Sequence, residues 1–269
     1  MPEQMNDTAT NPLIVRNDPP LGWIVLNRPE TRNALNLKAW TRIAEAVAEL
    51  AADDAVRVII IRGSTPAAFI AGADIKEFPA LRADASQARA YREAPDRAVA
   101  AITGCPKPVI AMISGVCMGG GVQVALACDI RIAARGTRLG VPAARLGLAY
   151  PLDATIALAH TVGPANARDI LLSARIFDAD EAMRMGLINR LCDPDQLESD
   201  VREYALKMAA NAPLTMAAAK AAIREGLKDR AERDAAAVAA MVVRCFDSAD
   251  YREGVLAFLE KRPPKFSGR

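Results

Sequence analysis

Two glycine-containing loops are the parts of this chain whose residue types and spacing best suit chemistry. Gly119-Gly120-Gly121 lies between an apolar run and a helical pattern, and Ala71-Gly72-Ala73 precedes a second helix start at Asp74. A strand, glycines and a helix in this order present free backbone N–H groups, with no side chain to block a ligand. Two converging N–H groups form an oxyanion hole, which stabilises negative charge developing on a carbonyl oxygen. Alternatively, both loops are simple tight turns.

Other common catalytic and metal sites lack their residues in this sequence. The glycines fit neither GxGxxG nor GxxxxGK[ST], so nothing supports a nucleotide phosphate site. The single histidine, His160, excludes a multi-histidine zinc site and leaves few ways to build a Ser-His-Asp triad. No CxxC occurs among the five cysteines, which are Cys105, Cys117, Cys128, Cys192 and Cys245. Buried reduced thiols in a cytoplasmic protein are expected, with neither a metal nor a separate cofactor.

Composition excludes several broad classes of protein. Of the 269 residues, 52% are apolar and 25% are charged, which supports a sizeable core and excludes an intrinsically disordered chain. The net charge of +2 provides no global field that would attract nucleic acid or an anionic membrane. Residues 109–128 carry no charge over about the length of a membrane span. They include four glycines, each costing about 1 kcal/mol in a helix, so a strand, a turn and a buried helix describe them better.

Strands that alternate with helices must position the two loops. Apolar runs predict strands, at Leu21–Leu26, 56–61, Val109–Ile113 and 130–133. Apolar residues at helical spacing after Asn36 predict an amphipathic helix with Asn36 as its N-cap. Asp74 and Glu77 have the spacing of a capping box, and a helix from about Gly120 to Ala127 follows the glycines.

This alternation predicts an α/β fold with a mostly helical final part. We expect residues 1–11 to be disordered, residues 12–195 to form the α/β core and residues 196–269 to form a helical C-terminal region.

A series of short stretches resembles one known family along nearly the whole chain. They are Asn27-Arg28-Pro29-x3-Asn33-Ala34-Leu35, Ala71-Gly72-Ala73-Asp74-Ile75-Lys76, Lys107-Pro108-Val109-Ile110-Ala111, Gly115-x3-Gly119-Gly120-Gly121, Cys128-Asp129-Ile130-Arg131, Leu146-Gly147-Leu148, Ala182-x3-Gly186-Leu187-Ile188 and Ala257-Phe258-Leu259-Glu260-Lys261-Arg262. Each stretch is weak evidence alone, but together and in this order they resemble the crotonase superfamily, the enoyl-CoA hydratase/isomerase family.

The resemblance implies a crotonase-like spiral of ββα units with a helical C-terminal region that assembles trimers or hexamers made of two trimers. It also implies an acyl-CoA substrate, whose thioester oxygen would lie between the N–H groups of Ala73 and Gly120. Lys76 would lie near the CoA phosphates, and Phe258 with Lys261 near the nucleotide end, on the same or a neighbouring subunit. The matching loops imply further substrate-binding residues, namely Arg28, Ala71, Asp74 and Ile75.

The sequence departs from the family pattern at the two positions where family hydratases carry glutamates. These positions hold Gln123 and Ala143. Adding water to an enoyl thioester needs one group that takes a proton from water and one that supplies a proton to the α-carbon. Gln123 can orient a water but has no titratable proton near neutral pH, and Ala143 can do neither. The two-glutamate hydratase mechanism is therefore absent.

Few residues are candidates to replace these carboxylates. Asp153 lies where some relatives place a working aspartate, although it also suits the N-cap of the next helix. Tyr150 is either a hydrogen-bond donor to the substrate or part of the pocket lining. His160 is expected to be structural. Arg145 is either a partner for a substrate carboxylate or part of a surface salt bridge.

Three functions remain open on the sequence alone. The first is hydration or isomerisation of an enoyl-CoA through a thioester enolate, as expected in fatty acid metabolism. The second is decarboxylation of a carboxyacyl-CoA, which generates the enolate by losing CO₂. The third is CoA-thioester binding without chemistry. An RNA-binding role is disfavoured by the net charge and by the absence of a concentrated basic stripe.

Overall fold

A computed structural model describes residues 11–269 of the protein, and nine strands occur within that range. They are β1 (Leu13–Asp18), β2 (Leu21–Leu26), β3 (Val58–Gly63), β4 (Val109–Ile113), β5 (Val116–Met118), β6 (Ile130–Ala134), β7 (Arg138–Gly140), β8 (Ile176–Asp178) and β9 (Arg190–Cys192). The expected disorder of residues 1–11 concerns, apart from Asn11, residues that lie outside the described part of the chain.

Ten α-helices occur in the same range. They are α1 (Leu37–Ala52), α2 (Phe78–Leu81), α3 (Ala85–Gly104), α4 (Gly120–Ala127), α5 (Leu152–Ser173), α6 (Ala179–Arg184), α7 (Leu197–Ala209), α8 (Pro213–Gly226), α9 (Ala235–Asp247) and α10 (Ala249–Leu259). Short 3-10 helices lie at Pro29–Thr31, Ile75–Glu77, Pro142–Leu146 and Arg230–Glu232.

The larger sheet has six strands in the order β1-β2-β3-β4-β6-β9. Strand β1 is antiparallel to β2, and every other neighbouring pair is parallel. Strands β3 and β4 are buried along almost their whole length, as expected for parallel strands covered on both faces. The α/β class predicted from the sequence is confirmed. Strand β3 begins at Val58 rather than at the predicted Val56, because the Val56 N–H bonds Asp53 O in the turn after α1.

Pairs of strands followed by a helix repeat along the chain, as β1-β2-α1, β4-β5-α4 and β6-β7-α5. In the second and third units the first strand joins the larger sheet, whereas the second strand joins a smaller sheet of order β5-β7-β8. An isolated bridge between Ile70 and Cys117 extends the smaller sheet to the segment before Ala71. The chain thus winds between two sheets, and the Ala71–Ala73 loop and the Gly119–Gly121 loop emerge side by side.

The uncharged stretch at residues 109–128 forms β4, β5 and α4. This agrees with the predicted strand, turn and buried helix. Within the described residues, no helix is long and apolar enough to cross a membrane.

The helices after residue 196 fall into two groups. Helix α7 packs on the larger sheet, where Leu197 and Val201 share a buried cluster with Trp23 and Ile60. Helices α8, α9 and α10 instead expose many large apolar side chains, which are Ile223, Leu227, Val242, Val243, Phe246, Val255, Leu256, Phe258 and Leu259.

Candidate active site

Backbone hydrogen bonds to the segment before α1 hold the Ala71–Ala73 loop. Ala71 N donates to Arg32 O at 3.0 Å, Leu35 N to Gly72 O at 2.8 Å and Asp74 N to Leu35 O at 2.9 Å. Successive backbone groups of an extended segment face opposite sides, so the Ala73 N–H points away from Leu35. No acceptor among the described residues takes this N–H.

The glycine triplet turns sharply between β5 and α4. Gly119 has φ 48°, a left-handed conformation that favours glycine, and its N–H donates to Gly140 O at 2.9 Å. Gly121 is needed for lack of space rather than for its φ, because a Cβ at this position would lie 2.5 Å from Ile70 O. The Ile70 carbonyl also accepts from Met118 N, which joins the two loops directly.

The free N–H groups of the two loops lie at one corner. Gly120 is the first residue of α4, and its N–H has no acceptor among residues 11–269. A Cβ built on Gly120 would lie 3.6 Å from Ala73 N. We call these two residues the oxyanion corner, since a carbonyl oxygen placed there could accept from both N–H groups.

Gln123 and Ala143 lie on α4 and on the 3-10 helix before α5, and neither supplies a carboxylate. Gln123 follows Gly120 by three residues on α4 and so lies on the same face of the helix. Its side chain is partly exposed and has no hydrogen-bond partner within the described part of the chain. Ala143 lies in the 3-10 helix Pro142–Leu146 and, partly buried, packs against the core.

Arg28 and Asp74, predicted to bind substrate, bind each other. Arg28 Nη2 lies 2.8 Å from Asp74 Oδ2, and Asp74 also accepts from Lys76 N. Glu77 does not complete a capping box with Asp74, because its Oε2 accepts from Leu37 N at the start of α1. Ile75 and Lys76 are exposed beside the loop, where Lys76 is available to a ligand.

Tyr150 contacts the glycine triplet, whereas Asp153 faces solvent. The buried Tyr150 hydroxyl donates to Gly119 O at 3.2 Å, and burial raises the pKa of this phenol well above its usual value. Asp153 lies in the first turn of α5 with 79% of its side chain exposed, 3.6 Å from Arg92 Nη2. The alternative that Asp153 caps α5 is wrong, because Pro151 occupies the N-cap position.

The remaining candidates are exposed at the surface. Phe258 at the end of α10 is 83% exposed, and Lys261 just beyond the helix is also exposed. His160 is exposed on α5. Arg145, next to Ala143 in sequence, is exposed and forms no ion pair with a carboxylate of residues 11–269.

Three residues at the corner escaped the sequence prediction. Leu35 and Gly140 act through backbone groups, so no side-chain pattern marks them. Trp40 lies on the buried face of α1, and its Cζ2 would lie 3.1 Å from a Cβ on Gly120. Indole Nε1 of Trp40 and the hydroxyl of Tyr91 are buried without a completed hydrogen bond to any described residue. In the sequence, no pattern shows that Trp40 lies against the glycine loop, and only the fold shows this contact.

No group of three or more potential metal ligands lies close together among the described residues. The cysteines are free thiols, four of them buried. Burial raises the pKa of Cys128 to about 12, so the thiol is neutral at physiological pH.

Comparison with known proteins identifies the family. The model of the family described as enoyl-CoA hydratase/isomerase matches residues 19–269. A crotonyl-CoA hydratase of Syntrophomonas wolfei is 35% identical over 254 residues, which are 94% of this chain and 97% of the relative. The mitochondrial methylglutaconyl-CoA hydratase of Mus musculus is 34% identical over 90% of this chain and 78% of its own length.

A solved structure agrees with these sequence matches. The enoyl-CoA hydratase/carnithine racemase of Magnetospirillum magneticum superposes with a TM-score of 0.92 at 38% identity, covering 97% of each chain. This likeness confirms the crotonase-like fold that the sequence motifs predicted. The chain belongs to the enoyl-CoA hydratase/isomerase family.

Proposed function

We propose that this protein is an enzyme that acts on an acyl-CoA thioester by stabilising its enolate at the oxyanion corner. The observation that carries the proposal is the closeness of two unused N–H groups, from Ala73 and Gly120, at the start of α4. Each donor is fixed by the fold before a ligand arrives. Such preorganised donors stabilise a developing oxyanion more strongly than water does.

The thioester carbonyl oxygen would accept hydrogen bonds from both N–H groups. When the α-carbon loses a proton, or when a nucleophile adds at the β-carbon of an enoyl group, the electron pair moves onto this oxygen. The corner then holds the enolate until a proton returns to carbon. The relatives are described as hydratases of crotonyl-CoA and methylglutaconyl-CoA, so enoyl hydration or isomerisation is the default reaction in this proposal.

The two-glutamate route to hydration has no carboxylates to use here. Gln123, on the same face of α4 as Gly120, offers a carboxamide that can orient a water or a substrate oxygen. Ala143 offers only a methyl group. In this proposal, proton transfer at the α-carbon therefore depends on another group.

Asp153 is the carboxylate that we assign to this step. It follows Tyr150 by three residues, and the Tyr150 hydroxyl touches the glycine loop, so the first turn of α5 begins beside the oxyanion corner. The Asp153 carboxylate is largely exposed, at 3.6 Å from Arg92, and in this proposal it turns toward a bound acyl group. A positioned carboxylate contributes on the order of 10²- to 10⁴-fold to proton transfer.

Decarboxylation of a carboxyacyl-CoA is the second candidate function. In that reaction the bond from the α-carbon to the carboxylate breaks, CO₂ leaves and the electron pair passes to the thioester oxygen. No base is needed, which suits a site without glutamates. The observation that favours it is Arg145, an exposed guanidinium in the same 3-10 helix as Ala143 that pairs with no described carboxylate.

The CoA part of the substrate would lie along the exposed side of the Ala71–Ala73 loop. Lys76 would contact the phosphates, and Phe258 with Lys261 would contact the nucleotide end in the same or a neighbouring subunit. The exposed apolar side chains of α8, α9 and α10 support assembly of a homotrimer or a hexamer through this region. In this proposal CoA enters with the substrate, no separate cofactor takes part, and the partners are the substrate and further copies of the chain.

A mixed panel of acyl-CoA thioesters incubated in heavy water tests the proposal. The panel contains saturated, 2-enoyl, 3-enoyl, 3-hydroxy and carboxyacyl thioesters, and mass spectrometry follows each member. Deuterium entering the α-carbon, or water added across the double bond, supports the base-dependent reaction. Loss of CO₂ from the carboxyacyl member alone supports the decarboxylase. A panel that binds but returns unchanged contradicts both enzymes and favours a CoA-thioester-binding protein.

A further inference from the structure

The amide that joins Gly119 to Gly120 is held by two hydrogen bonds to its carbonyl oxygen. Its carbonyl oxygen, on Gly119, accepts from Gln123 N at 3.1 Å and from the Tyr150 hydroxyl at 3.2 Å. Its N–H, on Gly120, is the unused donor of the oxyanion corner. Because a trans amide is planar, holding its oxygen on one side fixes the direction of its N–H on the other.

The two bonds to this carbonyl have different origins. The bond from Gln123 N is the first intrahelical bond of α4 and would form in any such helix. The bond from Tyr150 comes from outside, from the residue just before the N-terminus of α5. A phenol is protonated at physiological pH, and burial raises the pKa of Tyr150 further, so its hydroxyl remains a donor. A hydrogen bond to the oxygen of an amide also polarises it and makes its N–H a stronger donor.

The other half of the corner is anchored without a side chain. The amide between Gly72 and Ala73 has its carbonyl held by Leu35 N at 2.8 Å, and its N–H is the second unused donor. In both oxyanion donors, therefore, hydrogen bonds to the carbonyl oxygen hold the amide whose N–H is unused. Only the Gly119–Gly120 amide receives one of these hydrogen bonds from a side chain, so that bond can be removed by a substitution that leaves the backbone unchanged.

We propose that Tyr150 is a positioning residue, which holds the Gly119–Gly120 amide so that its N–H is aimed at the thioester oxygen and polarised toward it. This inference rests on the proposed function, since it assumes that a thioester carbonyl occupies the corner. It assigns Tyr150 to the backbone of the oxyanion hole rather than to direct contact with the acyl group.

Infrared spectroscopy of a bound thioester separates this role from simple packing. The probe is butyryl-CoA labelled with ¹³C at the thioester carbonyl, whose stretching frequency falls as the carbonyl is polarised. Wild-type protein is expected to lower this frequency on binding. Tyr150→Phe is expected to retain binding of butyryl-CoA within about threefold and to lose at least a third of the frequency shift. On the best substrate of the acyl-CoA panel, it is expected to lower kcat about tenfold with little change in KM.

The matched control is Tyr204→Phe, the same loss of a hydroxyl on α7, where the ring packs against the Arg190 guanidinium far along the chain from the glycine loop. It is expected to keep the wild-type shift and kcat. A wild-type shift that Tyr150→Phe retains in full overturns the inference but leaves the proposed function standing. A wild-type protein that binds the probe without any shift, or does not bind it, overturns both.

A second variant guards against a Tyr150→Phe protein that does not fold. Replacement of Tyr150 by 3-fluorotyrosine keeps the ring and the hydroxyl but makes the hydroxyl a stronger donor. It is expected to lower the carbonyl frequency of the bound probe further than wild type does. A frequency equal to that of wild type in this variant contradicts the inference.

Discussion

Arg28 and Asp74 form an ion pair with 2.8 Å between Nη2 and Oδ2, and their side chains are only 19% and 10% exposed. The Arg28 guanidinium also donates to Ala34 O. The pair thus joins the segment before α1 to the residue that follows Ala73. The prediction that both residues contact substrate stays a prediction, and the ion pair shows that their charged groups already bind each other beside the Ala71–Ala73 loop.

Asp74→Asn is expected to destabilise the protein by about 3 kcal/mol, because it leaves the mostly buried Arg28 charge with only the distant, exposed Glu30 carboxylate as a partner. Urea unfolding measures this change. Glu30→Gln is the control, since Glu30 is an exposed carboxylate 4.0 Å from the same guanidinium, and it should change stability by less than about 0.5 kcal/mol. Equal effects of the two variants would show that the Asp74 contact is no stronger than a surface pair.

Gly120→Pro is expected to lower turnover by at least 10²-fold relative to Gly120→Ala, as when one oxyanion donor is lost. Both variants add a Cβ that would lie 3.1 Å from Trp40 Cζ2, but only proline removes the N–H. Proline is tolerated at the first position of a helix, so α4 should still form. Steady-state kinetics on the best panel substrate measures the ratio. Equal turnover of two folded variants would remove the Gly120 N–H from the site.

Gln123→Glu combined with Ala143→Glu is expected to raise crotonyl-CoA hydration on the order of 10²-fold, because it supplies both carboxylates that the hydratase reaction uses. Loss of the enoyl absorbance follows the reaction. The neutral control is Ala143→Gln in the wild-type Gln123 background, which has similar bulk without the charges. No gain over that control would mean that the pocket has been reshaped for a different reaction.

Asp153→Asn is expected to lower α-carbon deuterium exchange about 10²-fold, because the amide cannot accept the proton. Arg92→Gln, which removes the ion-pair partner 3.6 Å away but keeps the carboxylate, should change exchange by less than threefold. Mass spectrometry of the thioester in heavy water measures both. Undiminished exchange in Asp153→Asn would assign the proton transfer to another group.

Alkaline conditions are expected to destabilise the fold through Tyr91. Burial, and then the neighbouring Glu77 carboxylate, raise the pKa of Tyr91 to about 12, above its ordinary value of 10.0. The unfolded chain therefore loses this proton first. The stability that protonated Tyr91 contributes is complete below about pH 10 and is lost as pH rises toward 12. The loss is on the order of 2 kcal/mol. Between pH 8 and 11.5, the free energy of unfolding in urea should fall less steeply with pH for Tyr91→Phe than for wild type. Parallel plots of this free energy against pH would contradict the assignment.

Much of the fold follows from the sequence because its signals are local. Strand β2 and helix α4 have the predicted bounds, since continuous apolar runs and the glycine boundary depend only on neighbouring residues. The Asn36 N-cap is also local, and its side chain accepts from Ala39 N. By contrast, the three-residue strands β5, β7 and β8 carry no pattern long enough to recognise, and they exist because their partners present unpaired backbone groups.

The candidate site divides in the same way. The residue types at the glycine loops, and the identities of Gln123 and Ala143, can be read from the sequence alone. Only the tertiary structure decides which backbone N–H groups remain unused, because that depends on the carbonyls of Leu35 and Gly140 from distant parts of the chain. The same holds for Tyr150, whose sequence offered two roles. Its hydroxyl meets Gly119 O because the chain brings the start of α5 back against α4, and no local pattern carries that information.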